Sequence, residues 1–129
     1  MAGLLTALVV IPPELRAGLI PCLRRFPSYL RIAATCQEAA QVLKDDPAVQ
    51  VVLTDLYLPD GTWIDVLRRA AGAQSAPRVV VCPRVADEGL WAQVLEAGAF
   101  DVLVRPYREP EVFRILEAAA IPARAMAAG

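Results

Sequence analysis

Apolar positions along this chain fall into two alternating kinds of segment. Short continuous runs rich in β-branched residues are separated by stretches in which apolar residues recur every three or four positions. The runs predict strands buried on both faces at roughly Thr6 to Ile11, Leu30 to Ala33, Val51 to Thr54, Arg78 to Cys82 and Asp101 to Val104. Between them the spacing predicts helices. The first starts at Pro12-Pro13-Glu14 and runs toward Arg25, with a bend near Ala17 to Pro21, because an interior proline costs about 3 kcal/mol unless the helix kinks. Thr35 followed by Glu38 is a capping-box signature for a second helix reaching Lys44, which Asp45-Asp46-Pro47 ends. Thr62 can cap a third, with Trp63, Val66, Leu67 and Ala70 inward and Arg68 and Arg69 in water. A fourth, Asp87 to Ala97, uses Leu90, Val94 and Ala97, widened by Trp91 and Leu95, and Gly98 ends it. The last follows Pro110 and buries Val112, Ile115, Leu116 and Ala119. Such alternation is the pattern of an α/β fold, a parallel sheet covered by helices on both faces.

The third run carries the most information. Val51-Val52-Leu53-Thr54 delivers Asp55 to the end of a strand, and the chain then breaks into a turn at Pro59-Asp60-Gly61. In open α/β sheets, ligands and chemistry sit outside the carboxyl ends of the strands. The competing reading is an aspartate that satisfies a turn or caps the following helix.

Composition narrows the chemistry. A length of 129 residues fits one domain, taken as 1–122, with the Ala-rich 123–129 as a tail or the start of a linker. With 57% hydrophobic and 21% charged residues the chain is globular, and its apolar runs are too short to span a bilayer. The N-terminus shows no secretory signal, so a cytoplasmic location is expected. There is no histidine, which removes the commonest general base and the usual nucleophilic triads, so an enzyme is not expected. Cys22, Cys36 and Cys82 share no metal-ligand spacing and read as small buried hydrophobes. A net charge of -1 argues against direct nucleic-acid binding. No glycine-rich phosphate loop follows the first strand, where Ile11-Pro12-Pro13 stands, which disfavours a nucleotide site.

Taken together, Asp55 ending the third strand, Leu58-Pro59-Asp60-Gly61 after it, Glu96-Ala97-Gly98-Ala99, and Arg105-Pro106 after the fifth strand resemble a response-regulator receiver domain, the CheY-like family, over nearly the whole chain. The resemblance implies a flavodoxin-like (βα)5 three-layer sandwich with a five-stranded parallel sheet of order 2-1-3-4-5. It also implies that Asp55 occupies the position that accepts a phosphoryl group from a histidine kinase beside a magnesium ion. The family's metal ligands are two acids at the end of the first strand, the acceptor aspartate and a backbone carbonyl that falls on Tyr57. Val10-Ile11-Pro12 stands where the acid pair belongs, which leaves Asp55 and the Tyr57 carbonyl, a weak site for a cation that demands several hard oxygens. The family's lysine at the phosphate is Arg105 here, and its hydroxyl residue at the end of the fourth strand is Cys82. In the fifth strand Val102 replaces an aromatic residue. Glu14 and Asp60 are candidate replacement carboxylates, read more simply as a helix-start acid and a turn residue. Through the same resemblance the Arg105–Pro106 peptide is expected to be cis.

The formal charges of Asp55 and Arg105 cancel, which suggests a metal-independent ion pair between them. The expected function is that of a two-component, phosphorelay receiver of atypical, pseudo-receiver type. It would signal through protein-protein contact, with weak or no magnesium-dependent phosphorylation at Asp55. The alternative is a working aspartyl phosphoacceptor that regulates an attached or partner output module, such as a transcription regulator. Expected partners are a histidine kinase, a phosphotransfer protein or an output domain, and a homodimer is possible. The expected contact face joins helix four, strand five and helix five, with Trp91, Tyr107, Arg108 and Phe113. Trp63 covers Asp55, makes a partner contact, or simply packs on the sheet.

Overall fold

The computed structural model describes residues 4–121. Pro122 and the expected tail at 123–129 therefore lie outside the described residues. In chain order the elements are β1 (Leu5–Val10), a 3-10 turn (Pro13–Leu15), α1 (Ile20–Arg25), β2 (Ser28–Ala33), α2 (Cys36–Asp45) and β3 (Val51–Thr54). A small hairpin follows, β4 (Tyr57–Leu58) and β5 (Gly61–Thr62), then α3 (Trp63–Gly72), β6 (Arg78–Val81), α4 (Glu88–Glu96), β7 (Asp101–Val102) and α5 (Glu109–Ala119).

Five of the strands make one parallel sheet in the order β2-β1-β3-β6-β7. Counted over those five alone this is 2-1-3-4-5, the expected flavodoxin-like arrangement. The central strands are buried at every position, as strands with helices on both faces must be. In β1 the side chains of Leu5, Ala7 and Val9 enter a core shared with α1 and α5, while Leu8 and Val10 enter a second core shared with α2, α3 and α4.

Five local expectations are corrected. The first helix is not one bent helix: the chain makes a single 3-10 turn, crosses a turn at 17–19, and restarts as α1 with Pro21 in its first turn, where a missing N–H costs nothing. Strand β2 starts at Ser28 rather than Leu30, and β7 ends at Val102 rather than Val104. At α2, Thr35 accepts from the Glu38 N–H at 3.0 Å, yet the Glu38 carboxylate takes the Ala34 N–H at 2.8 Å, one residue before the box position. The reciprocal box instead forms at α3, where Asp65 accepts from the Thr62 N–H at 2.9 Å and Thr62 caps the turn. On α4 only Val94 is buried, and Ala97, Trp91 and Leu95 stay in water, because that helix covers the two-residue β7 at the sheet margin.

The hairpin after Asp55 was not foreseen. Its turn presents the Asp60 carboxylate to the N-terminus of α2, where it accepts from the N–H groups of Cys36 at 2.7 Å and Gln37 at 3.0 Å. Those bonds satisfy donors that a helix start otherwise leaves open. Gly61 is needed for this fit: a Cβ there would stand 2.5 Å from Asp65 Oδ2 and 3.0 Å from Cys36 Sγ.

Gly61→Ala is expected to displace the Asp65 cap and destabilise the fold by about 0.5–2 kcal/mol, read by urea denaturation. The backbone N–H groups of Cys36 and Gln37 hold the Asp60 carboxyl below its usual value. A depressed folded-state value means that the tie stabilises above the unfolded value and is lost as pH falls through the folded one. The melting-temperature difference between the parent chain and Asp60→Ala is therefore expected to be largest near neutral pH and to shrink below about pH 4.

Candidate functional site

Strand β3 lies between β1 and β6, and its pairing carries Asp55 to the crevice where the chain order reverses. The Asp55 N–H donates to the Val10 carbonyl at 3.0 Å, and the Thr54 hydroxyl donates to the Asp55 carbonyl at 3.0 Å. With its backbone fixed, the residue is only 7% exposed. One carboxylate oxygen, Oδ1, accepts from the Leu56 N–H at 2.8 Å. The other, Oδ2, faces Arg105 Nη2 at 3.3 Å.

Arg105 reaches this point from the loop after β7. Leu103 continues the ladder through its N–H to the Val81 carbonyl at 2.9 Å, and the Arg105 N–H donates to the Pro83 carbonyl at 3.3 Å. The Arg105–Pro106 peptide is cis, as the family likeness implied. Arg105 Nε donates to the Tyr107 hydroxyl at 2.9 Å. Its Nη2 is buried without a hydrogen bond, so the contact with Asp55 is an ion pair by charge and distance and not by hydrogen-bond geometry. Burial works against the Arg105 charge, but the Tyr107 hydroxyl and the Asp55 carboxylate outweigh it, and the guanidinium is held above its ordinary value. Burial likewise raises the Tyr107 phenol, which stays protonated.

Cys82 is fully buried at the end of β6, its N–H bonded to the Thr54 carbonyl at 2.8 Å. Burial pushes its thiol up to about 12 despite the nearby Arg105 charge, so it is a neutral wall of the site and no nucleophile at neutral pH. Cys22 is buried as expected, while Cys36 is half-buried on α2 and does not belong to the core proper.

Asp55 opens onto a cavity of about 610 Å³ walled by Pro12, Leu15, Leu56, Leu58 and Pro59, with Glu14 and Arg84 among its polar lining. Tyr57 borders the same space and is largely exposed. Of Val10-Ile11-Pro12, the stretch expected at the family's acid positions, Val10 and Ile11 are fully buried apolar side chains. Among the described residues, no group of three or more His, Cys, Asp or Glu side chains is placed to hold a metal ion. Glu14 is exposed on the cavity wall, and Asp60 is committed to the start of α2.

The residues expected to form one contact face sit on α4, on α5 and in the loop between β7 and α5. Trp91 is partly exposed on α4. Phe113, on α5, stacks edge-on against Phe26 with ring centroids 5.3 Å apart, next to the core of α1 and α5. Arg108 is exposed at the start of α5. Tyr107 turns inward, packing over Gly18 and closing on Arg105, so it belongs to the Asp55 site. No sequence signal marked that role, because it depends on how the loop after β7 folds back. Trp63 is 5% exposed and packs with the second core.

This geometry has relatives. The family profile described as the response regulator receiver domain matches residues 13–117. The transcriptional regulatory protein CitB of Klebsiella pneumoniae is 27% identical over 119 residues, covering 91% of this chain and 50% of its own. The chemotaxis protein CheY of Listeria monocytogenes is 22% identical over 95 residues, covering 72% of this chain and 80% of its own. The chain thus spans half the length of the first of these relatives and most of the second. Among solved structures, a response regulator receiver domain protein from Clostridium thermocellum superposes with a TM-score of 0.81 at 18% identity, covering 98% of this chain and 100% of that one. At that identity the superposition speaks for the fold alone. Among the described residues no helix is long and apolar enough to cross a membrane. The profile match runs from the turn after β1 into the last turn of α5, taking in Asp55, Arg105 and the sheet edge that carries them, and the chain belongs to the response regulator receiver domains of two-component signalling.

Proposed function

We infer that this is an atypical, pseudo-receiver domain that signals through protein contact, with the Asp55–Arg105 ion pair in place of magnesium-assisted phosphorylation. The observation that carries this reading is the 3.3 Å contact between Oδ2 and Nη2, with Pro12 lining the cavity that Asp55 borders and Val10 and Ile11 fully buried. Magnesium needs several hard oxygen ligands in near-octahedral geometry, and its charge offsets that of a transferring phosphoryl group. One carboxylate already facing a guanidinium, with a backbone carbonyl at Tyr57, does not fit that ion. The domain is taken as 1–122, with 123–129 as a tail or the start of a linker, and its expected location is the cytoplasm.

The partner is a histidine kinase, a phosphotransfer protein or an output domain. A transcriptional output is suggested by CitB, whose name describes a transcriptional regulatory protein. Trp91, Arg108 and Phe113 remain candidates for its contact. No catalytic role is assigned to the domain itself. A second reading, a working phosphoacceptor, draws on one observation: Asp55 borders an open cavity and keeps a basic partner at hand.

Incubation with acetyl phosphate and Mg²⁺, read by intact mass with Asp55→Asn as control, is expected to show no stoichiometric gain. A full Asp55-dependent gain would establish the second reading instead. Arg105→Ala leaves a nearly buried carboxylate without its cation, and a loss of about 1–3 kcal/mol in urea denaturation is expected. The amide resonances of Leu56 and the 57–62 hairpin should shift with it. Unchanged stability and unchanged loop resonances would remove the ion pair from its proposed role.

A further inference from the structure

Strand β2 is the margin of the sheet and pairs only with β1. A sheet margin presents a row of open N–H and C=O groups, and proteins usually blunt it with short strands, bulges, proline or charged side chains; the charge on this strand, Arg31, is paired with Asp46. This one has a regular six-residue ladder without a bulge, and it displays Tyr29 at 65% and Ile32 at 42% exposure. No other strand of the sheet leaves an aromatic side chain so open among the described residues.

The direction of the free groups follows from the ladder. The Leu5 N–H donates to the Pro27 carbonyl at 3.1 Å, and Leu5 is in register with Ser28. In a parallel pair, alternate residues turn both backbone groups to one side, so Pro27, Tyr29, Arg31 and Ala33 face β1, while Ser28, Leu30 and Ile32 turn theirs outward. Side-chain faces are fixed by the same register. Tyr29 and Arg31 align with Thr6 and Leu8 and stand on the α2 side; Leu30 and Ile32 align with Ala7 and Val9 and stand on the α1 side.

These constraints limit the ways in which the strand can meet itself, and one of them brings opposite partners together. A two-fold axis perpendicular to the sheet at Leu30 places Leu30 opposite Leu30 of the second copy and Ser28 opposite Ile32. All of these residues have outward backbone groups, so each such pair exchanges both N–H···O bonds. The pairs between them are Tyr29 with Arg31, in the non-hydrogen-bonded positions where side chains approach most closely. That sets a guanidinium against an exposed aromatic ring twice, once on each side of the axis. Moving the axis to Arg31 would instead set two arginines face to face. Arg31 is still 44% exposed beside its Asp46 partner, and a net charge of -1 gives little repulsion between copies.

We propose that two copies of this chain associate through antiparallel pairing of β2 with β2, centred on Leu30 with Tyr29 opposite Arg31, to form one continuous sheet. The contact is isologous and closes on itself, so it yields a dimer and no fibre. It does not use Asp55, and it stands apart from the signalling reading above.

Sedimentation velocity on the 129-residue chain across a concentration series is the test, combined with amide hydrogen exchange. The expected result is a reversible monomer–dimer equilibrium in which the Leu30 and Ile32 amides gain protection as concentration rises. Tyr29→Lys places like charges opposite each other and is expected to weaken the dimer by about tenfold, since the pair occurs twice. Tyr29→Glu faces Arg31 with an opposite charge and should preserve it. Tyr29→Lys combined with Arg31→Glu should restore what Tyr29→Lys loses. The proposal is overturned by a chain that stays monomeric throughout, by equal loss in the two Tyr29 variants, by a double variant as weak as the single one, or by association that leaves those amides unprotected. Circular dichroism of each variant confirms that the monomer is folded, Tyr29 being too exposed to support the core.

Discussion

A carboxylate removed from water must find compensation, and the arrangement around Asp55 is shaped by that need. Its backbone cannot retreat, because β3 is clamped between β1 and β6 and the Asp55 N–H extends the ladder to Val10. What remains adjustable is the far loop. Arg105 arrives there held by the Pro83 carbonyl and the Tyr107 hydroxyl, with one nitrogen turned to Asp55. Two loops from opposite ends of half the sheet are thereby joined by a single charged contact.

In the reading proposed above, Val10-Ile11-Pro12 in place of an acid pair changes the charge balance of that site. With extra carboxylates present, excess negative charge invites a dication. With one carboxylate and one guanidinium, the charge is already near balance. Pro12, Leu15, Leu56, Leu58 and Pro59 give the cavity beside Asp55 its mostly apolar lining, with Glu14 and Arg84 among the charges near it.

Much of the fold was legible because buried parallel strands leave a plain mark. Runs such as Val51-Val52-Leu53 have no polar face to interrupt them, and Thr62, Asp87 and Pro110 punctuate helix starts through local chemistry. Asp55 was legible for the same reason, being the first charge after a run that must be buried. Where the reading failed, the deciding contacts were non-local. Nothing near Pro21 says that the helix will restart there instead of bending, since that depends on how Leu19 and Leu23 reach the core. Trp91 and Leu95 have helical spacing for a buried face, but β7 is too short to cover them. Tyr107 read as a surface anchor, and the structure turns it inward onto Arg105, because a loop closure decides its direction.

The tie from Asp60 to the start of α2 has a mechanical consequence. A loop that followed Asp55 freely could relax without moving anything else, but this one carries the first turn of α2 on its tip through Cys36 and Gln37. Displacement of the Asp55 backbone is therefore geared to α2 as well as to the Arg105 loop. The two sides of the sheet share one lever, whose fulcrum is the end of β3.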